Sequence, residues 1–166
     1  VTAYLEYPNG ATGVFITSTG DTPGTNRFEI LGNNGKLVCE HDRLNFTKLA
    51  MPEREFNATY RGGFGEPERE EITVETDGQN PQHVGILNNF ANAVLGLEPL
   101  FVDGREGIHG VELMDAMLLS TWKDRTVTLP IDDDEYWDEL QKHIAVSRLK
   151  TASDVVLNTE GTYTSK

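Results

Sequence analysis

In the first half of the chain, apolar and polar residues alternate with the two-residue period of a pleated strand. Val1 to Tyr7 alternates weakly and stops at Pro8-Asn9-Gly10, a tight-turn sequence, and Ala11 to Thr19 follows, so the pattern predicts a hairpin. In its second strand Val14 and Ile16 fall on one side and Phe15 on the other, which leaves apolar groups to cover on both faces. The loop Gly20 to Gly24 leads into Asn26 to Leu31, where Phe28 and Ile30 alternate with Arg27 and Glu29. Asn33-Asn34-Gly35 turns the chain into Lys36 to Glu40, a second hairpin, and Leu44 to Leu49 continues the meander. Pro52 to Glu68 is polar, holds Gly62-Gly63-Phe64-Gly65 and Pro67, and reads as a mobile connection. Glu70 to Thr76 is a strand with Ile72 and Val74 facing inward.

The period then changes. From Gln82 to Leu95 the apolar residues Leu87, Phe90, Ala91, Val94 and Leu95 form a single helical stripe, and Gly96 supplies a stop. A second helix is expected from Asp103 to Trp122 with Ile108, Val111, Met114 and Leu118 on its buried face. A short strand is expected at Thr126 to Leu129, closed by Pro130. A third helix follows, with Asp132 to Glu135 complementing the positive end of its dipole and Tyr136, Leu140 and Ile144 as its buried stripe. Residues 1–150 read as one domain and 151–166 as a tail, with a terminal strand expected at Val155 to Leu157. Strands first and helices second, joined by hairpins, predict an α+β domain: a large, mostly antiparallel open sheet with about three helices packed on one face. The other face needs a partner.

Charge narrows the partners. Fourteen basic residues stand against 27 acidic ones, a net charge of −13 that repels phosphate backbones and anionic lipids and disfavours nucleic acid and membranes. Cys39 is the single cysteine, so no internal disulfide forms, and no secretory leader opens the sequence; a reducing, cytoplasmic compartment fits. The start, without Met and directly in strand-like sequence, fits a piece of a longer polypeptide.

No catalytic constellation is visible. Gly62-Gly63-Phe64-Gly65 runs into Glu66 and Pro67 and lacks the strand-to-helix setting of a phosphate-binding turn. Gly104, Gly107 and Gly110 fit helix packing, and the serines lack a nucleophile-elbow context. Of His41, His83, His109 and His143 only His41 lies near a cysteine, two residues after Cys39, and that single pair has no second pair to complete a zinc site; the acids from Asp132 to Glu139 lack the spaced loop of a calcium site. Cys39, inside a strand, reads as a small buried hydrophobe and His143 as a solvated surface residue. Three residues are candidates for a substrate. Arg27 and Arg61 either grip a hydroxylated or anionic ligand through their planar forks or pair with the many acids. His83, at a helix start, either faces a cleft or caps the helix.

The run His83-Val-Gly-Ile-Leu-Asn-Asn-Phe-Ala-Asn-Ala-Val-Leu-Gly96, then Glu98-Pro-Leu100, the segment Asp103 to Ala116, and Val127-Thr-Leu-Pro130 resembles the C-terminal domain of the Gfo/Idh/MocA oxidoreductases. Tyr4-Leu-Glu-Tyr-Pro-Asn-Gly-Ala-Thr-Gly13 and Gly24 to Leu37 agree, so the resemblance covers most of the chain up to Arg148. It implies an antiparallel sheet with helices on one side, self-association through the open sheet face, and a small sugar or polyol ligand held against a Rossmann domain carrying NAD or NADP. The sequence departs from the family in lacking GxGxxG and any Lys-Pro dipeptide, and no histidine takes the family's acid/base role. The resemblance therefore implies no catalytic, cofactor-binding or metal residue here. It implies the substrate-side and oligomerisation domain of an NAD(P)-dependent sugar or cyclitol oxidoreductase, not competent by itself. The alternative is a stand-alone binding or scaffold module.

Overall fold

The computed structural model describes residues 1–149; the tail expected from residue 151 and its strand at Val155 to Leu157 lie outside them. Two units divide the chain, Val1–Phe101 and the residues from Val102 onward. The class is α+β, and the strands of the described residues pair antiparallel. Among the described residues no helix is long and apolar enough to cross a membrane.

In the first unit, β1 (Thr2–Glu6) and β2 (Thr12–Ile16) pair as the expected hairpin. A separate sheet has the order β3 (Arg27–Gly32), β4 (Gly35–Glu40), β5 (Arg43–Leu49) and β6 (Arg69–Val74). Directly paired residues share a face. The register therefore collects Phe28, Cys39, Leu44 and Val74 in one row and Ile30, Leu37, Phe46 and Ile72 in the next, an apolar face built from every strand. The opposite face carries Arg27, Glu29, Glu40, Lys36, Asn45, Thr47, Glu71 and Thr73. Thr47 Oγ1 donates to Glu71 at 2.7 Å and Thr73 Oγ1 to Asn45 at 3.3 Å, so hydrogen bonds tie the polar face across β5 and β6. Cys39 lies in β4 on the apolar face and is exposed, not buried as the sequence reading expects.

The segment expected to be a mobile connection contains a helix, α1 (Glu53–Thr59), so the described residues hold four α-helices where about three were expected. Its start is held from a distance. The Asn33 carbonyl accepts from the Glu53 N–H at 2.8 Å, and Asn33 Oδ1 accepts from the Arg54 N–H at 3.0 Å. The glycine-rich run after it is also built. Tyr60 stacks on Phe56 with ring centroids 4.8 Å apart and donates its hydroxyl to the Phe64 carbonyl at 3.1 Å.

Helix α2 (Gln82–Val94) forms as expected, and Gly96 follows it in the left-handed conformation at φ 71°. The half-buried face is a different one from that expected: Gly85, Asn89, Asn92 and Ala93, with Leu87, Phe90, Val94 and Leu95 exposed. The returning chain explains this. Asn89 Oδ1 accepts from the Phe101 N–H at 2.8 Å, its Nδ2 donates to the Pro99 carbonyl at 3.0 Å, and Asn92 Nδ2 donates to Glu98 at 2.9 Å.

In the second unit a turn of 3₁₀-helix (Gly104–Glu106) leads into α3 (Gly107–Lys123), and α4 (Asp133–Val146) pairs with it. Asp132 caps α4, its Oδ1 accepting from the Asp134 and Glu135 N–H groups at 3.0 Å. The buried residues are Ala116 and Leu119, while Ile108, Val111, Met114 and Leu118 are exposed. Apolar residues surround α3, and α4 selects the side: Trp122 stacks on Tyr136 with centroids 5.7 Å apart and meets the His143 ring at 4.5 Å. His143 is thus an exposed residue with an aromatic neighbour. Ile144 of the expected α4 stripe is also exposed. No strand forms at Thr126 to Leu129; the segment is irregular up to Ile131, whose N–H donates to Glu112 at 3.3 Å.

Candidate functional site

His83 stands in the first turn of α2, after Pro81 and after Gln82 at φ 46°. It lines an open hollow of about 810 Å³ with Pro81, Ile86, Leu87, Asn89 and Phe101. The wall is mostly apolar. Asn89 has both side-chain atoms committed to the chain at Pro99 and Phe101, so Gln82 and His83 are the polar side chains left to meet a ligand. Those two bonds hold residues 99–101 beside the helix, and Phe101 joins Ile86 and Leu87 in the lining. It offers apolar contact, the Gln82 amide and one imidazole, whose ring nitrogens donate or accept hydrogen bonds.

Arg27 lies at the start of β3 on the polar face. Its Nη1 donates to Glu40 at 2.8 Å, and its Nη2 is bound to Glu29. The bond to Glu29 and then that to Glu40 raise the guanidinium's pKa further, and Arg27 in turn holds the Glu29 carboxyl below its ordinary range. Arg61 follows α1 and donates Nη1 to the Ala58 carbonyl at 3.1 Å. The structure does not gather the three candidates: no hydrogen bond joins them, and the hollow at His83 includes neither arginine. A second hollow, of about 400 Å³ on the polar sheet face, contains none of them.

The glycine-rich run Gly62–Gly65 does not fit a phosphate cradle. A phosphate cradle needs a glycine turn whose N–H groups face open space at a helix start. At Gly62 and Gly65 the space is filled: a Cβ at these positions would fall 2.2 and 2.4 Å from Tyr60 side-chain atoms. Gly62 and Gly65 make room for the Tyr60 ring. Among the described residues no three His, Cys, Asp or Glu side chains gather as metal ligands.

Residues 1–129, from β1 through α3, match the oxidoreductase family, C-terminal alpha/beta domain. No curated protein matches the chain.

Proposed function

The chain belongs to the Gfo/Idh/MocA oxidoreductase family through that family's C-terminal domain, and from this premise we propose that it supplies the substrate side and the self-associating surface of an NAD(P)-dependent sugar or cyclitol oxidoreductase. The family match over residues 1–129 carries the reading. The donor set supports the division of labour, since the glycine-rich segment encloses Tyr60 and leaves dinucleotide binding to a Rossmann partner domain. On this reading the chain is not competent by itself and works in a reducing, cytoplasmic compartment, where the exposed Cys39 stays a thiol.

His83 is the candidate best placed to meet substrate, because it lines a hollow. Arg27 would reach a ligand only by exchanging a bond to Glu29 or Glu40, and Arg61 by leaving the Ala58 carbonyl. These groups position substrate and move no proton. In the full-length protein bearing this domain, His83→Ala is expected to raise KM about tenfold with kcat changed less than about twofold. Unchanged KM in His83→Ala, Arg27→Ala and Arg61→Ala alike would remove these residues from the site.

A further inference from the structure

The hollow at His83 is a poor match for a bare sugar. A hydroxyl taken out of water needs a hydrogen-bond partner, and each one left without it weakens binding. In this hollow of about 810 Å³ the side chains free to partner hydroxyls are Gln82 and His83, because Asn89 is committed to Pro99 and Phe101. The other side chains of the wall are those of Pro81, Ile86, Leu87 and Phe101. We propose that the hollow seats an apolar, ring-sized group carried by the substrate, an aromatic aglycone, and so selects aryl glycosides over free sugars. This selectivity rests on the reading of the chain as the substrate side of an oxidoreductase.

Size, lining and charge agree. The volume lies within the range of about 300–1,000 Å³ of small-molecule sites, which are mostly apolar with a few polar groups that fix orientation. Phe101 offers a ring for an aromatic group to stack on. Ile86 and Leu87 are exposed, and covering them removes apolar surface from water. The Gln82 amide both donates and accepts, as does a neutral imidazole, so the pair matches a glycosidic oxygen and one neighbouring hydroxyl. No Asp, Glu, Lys or Arg lines the hollow, so nothing there compensates a charged aglycone.

The wall is held at both ends. The Gly85 N–H donates to the Pro81 carbonyl at 3.1 Å, and a Cβ at Gly85 would fall 2.8 Å from Pro81 Cγ, so the glycine lets the proline close on the first turn of α2. At the other end the two bonds of Asn89 hold Pro99 and Phe101. Groups set before a ligand arrives lose less entropy on binding than groups the ligand must order.

The test has two arms. In the first, the isotope-labelled chain is titrated with phenyl and methyl β-D-glucosides and β-D-galactosides and with the free sugars, followed by nuclear magnetic resonance. At least one phenyl glycoside is expected to shift the amides of His83, Ile86, Leu87 and Phe101 saturably. It should bind about tenfold more tightly than its methyl counterpart, the discrimination an apolar pocket gives. Phe101→Ala and Leu87→Gln, each keeping the wild-type spectrum elsewhere, should remove most of that preference. In the second arm, the full-length protein bearing the domain is assayed for NAD(P)-linked turnover of the same compounds, and the phenyl glycoside should show the lower KM. The proposal is overturned by equal binding of phenyl and methyl glycosides, by tighter binding of a free sugar, or by a preference that both variants keep. It is also overturned if the same shifts arise on raising the chain concentration without a probe, since a second copy then fills the hollow. Turnover of free sugars with no gain from the phenyl group removes the aglycone site alone. A phenyl preference in the chain with no turnover of any compound by the full-length protein supports the site and overturns the oxidoreductase reading.

Discussion

Asn33 and Asn89 show how single side chains tie together segments distant in sequence. Asn33, at the turn between β3 and β4, accepts from the first N–H groups of α1, and Asn89 satisfies both the Phe101 N–H and the Pro99 carbonyl. Neither job is visible in a hydrophobic pattern, because an asparagine's partner is chosen by the fold. A half-buried amide making two such bonds contributes about 2 kcal/mol at most. Asn89→Ala should destabilise the first unit by about that amount. Amide hydrogen exchange at Phe101 should then accelerate, while that of β4 and β5 changes far less. Unchanged exchange at Phe101 would show that residues 97–101 are held by something other than Asn89. At the same scale, the hydrogen-bond commitments of Arg27 and Arg61 lower their availability to ligands, a fact that sequence alone left open between ligand and acid partners.

The elements divide into those the period could place and those it could not. The hairpins around Gly10 and Asn33-Asn34-Gly35, the β6 alternation and the extent of α2 were legible because turn residues and a two- or 3.6-residue period act locally. The face each helix buries was not. Around α3 apolar residues occupy most of the circumference, and the side that becomes buried, at Ala116 and Leu119, is set by Trp122 and Tyr136 meeting between α3 and α4. The polar hollow was illegible too, since Lys36, Thr47 and Glu71 become neighbours only through register. Charge also joins α3 and α4. Lys123 lies 3.2 Å from both Glu135 and Glu139, Arg125 lies 2.7 Å from Glu135, and Lys142 lies 2.8 Å from Glu139. Arg125 and then Lys123 hold the Glu135 carboxyl below its ordinary value of 4.5, and Lys142 and then Lys123 do the same for Glu139. Depressed folded-state values mean that the stabilisation is present above the unfolded carboxyl range and is lost as pH falls through the lower folded values. Thermal unfolding should thus be flat from neutrality to near pH 4.5 and fall below it, modestly because the pairs sit at the surface, only half-buried, where solvent screens them. The double variant Glu135→Gln, Glu139→Gln should show a shallower acid limb; an identical limb would remove the network from the account.

At the scale of the whole molecule, the apolar rows of the four-stranded sheet remain open at Phe28 and Ile30, and Phe15 of the hairpin is exposed as well. Faces of this kind are covered in soluble proteins by a partner, and under the proposed function that partner is a second copy. Sedimentation at micromolar concentration should give a species heavier than the 18.5 kDa chain, and Ile30→Glu should return it toward the monomer. A monomeric wild type would separate the family fold from self-association. The central claim is that this domain provides the substrate side of an oxidoreductase and takes its dinucleotide from a partner domain. Its most direct measurement is NAD(P)-linked turnover of a panel of sugars and cyclitols by the full-length protein bearing the domain, with the chain alone run in parallel. The account predicts turnover of at least one polyol by the full-length protein and none by the chain alone; no turnover of any polyol by the former, or turnover by the latter, would contradict it.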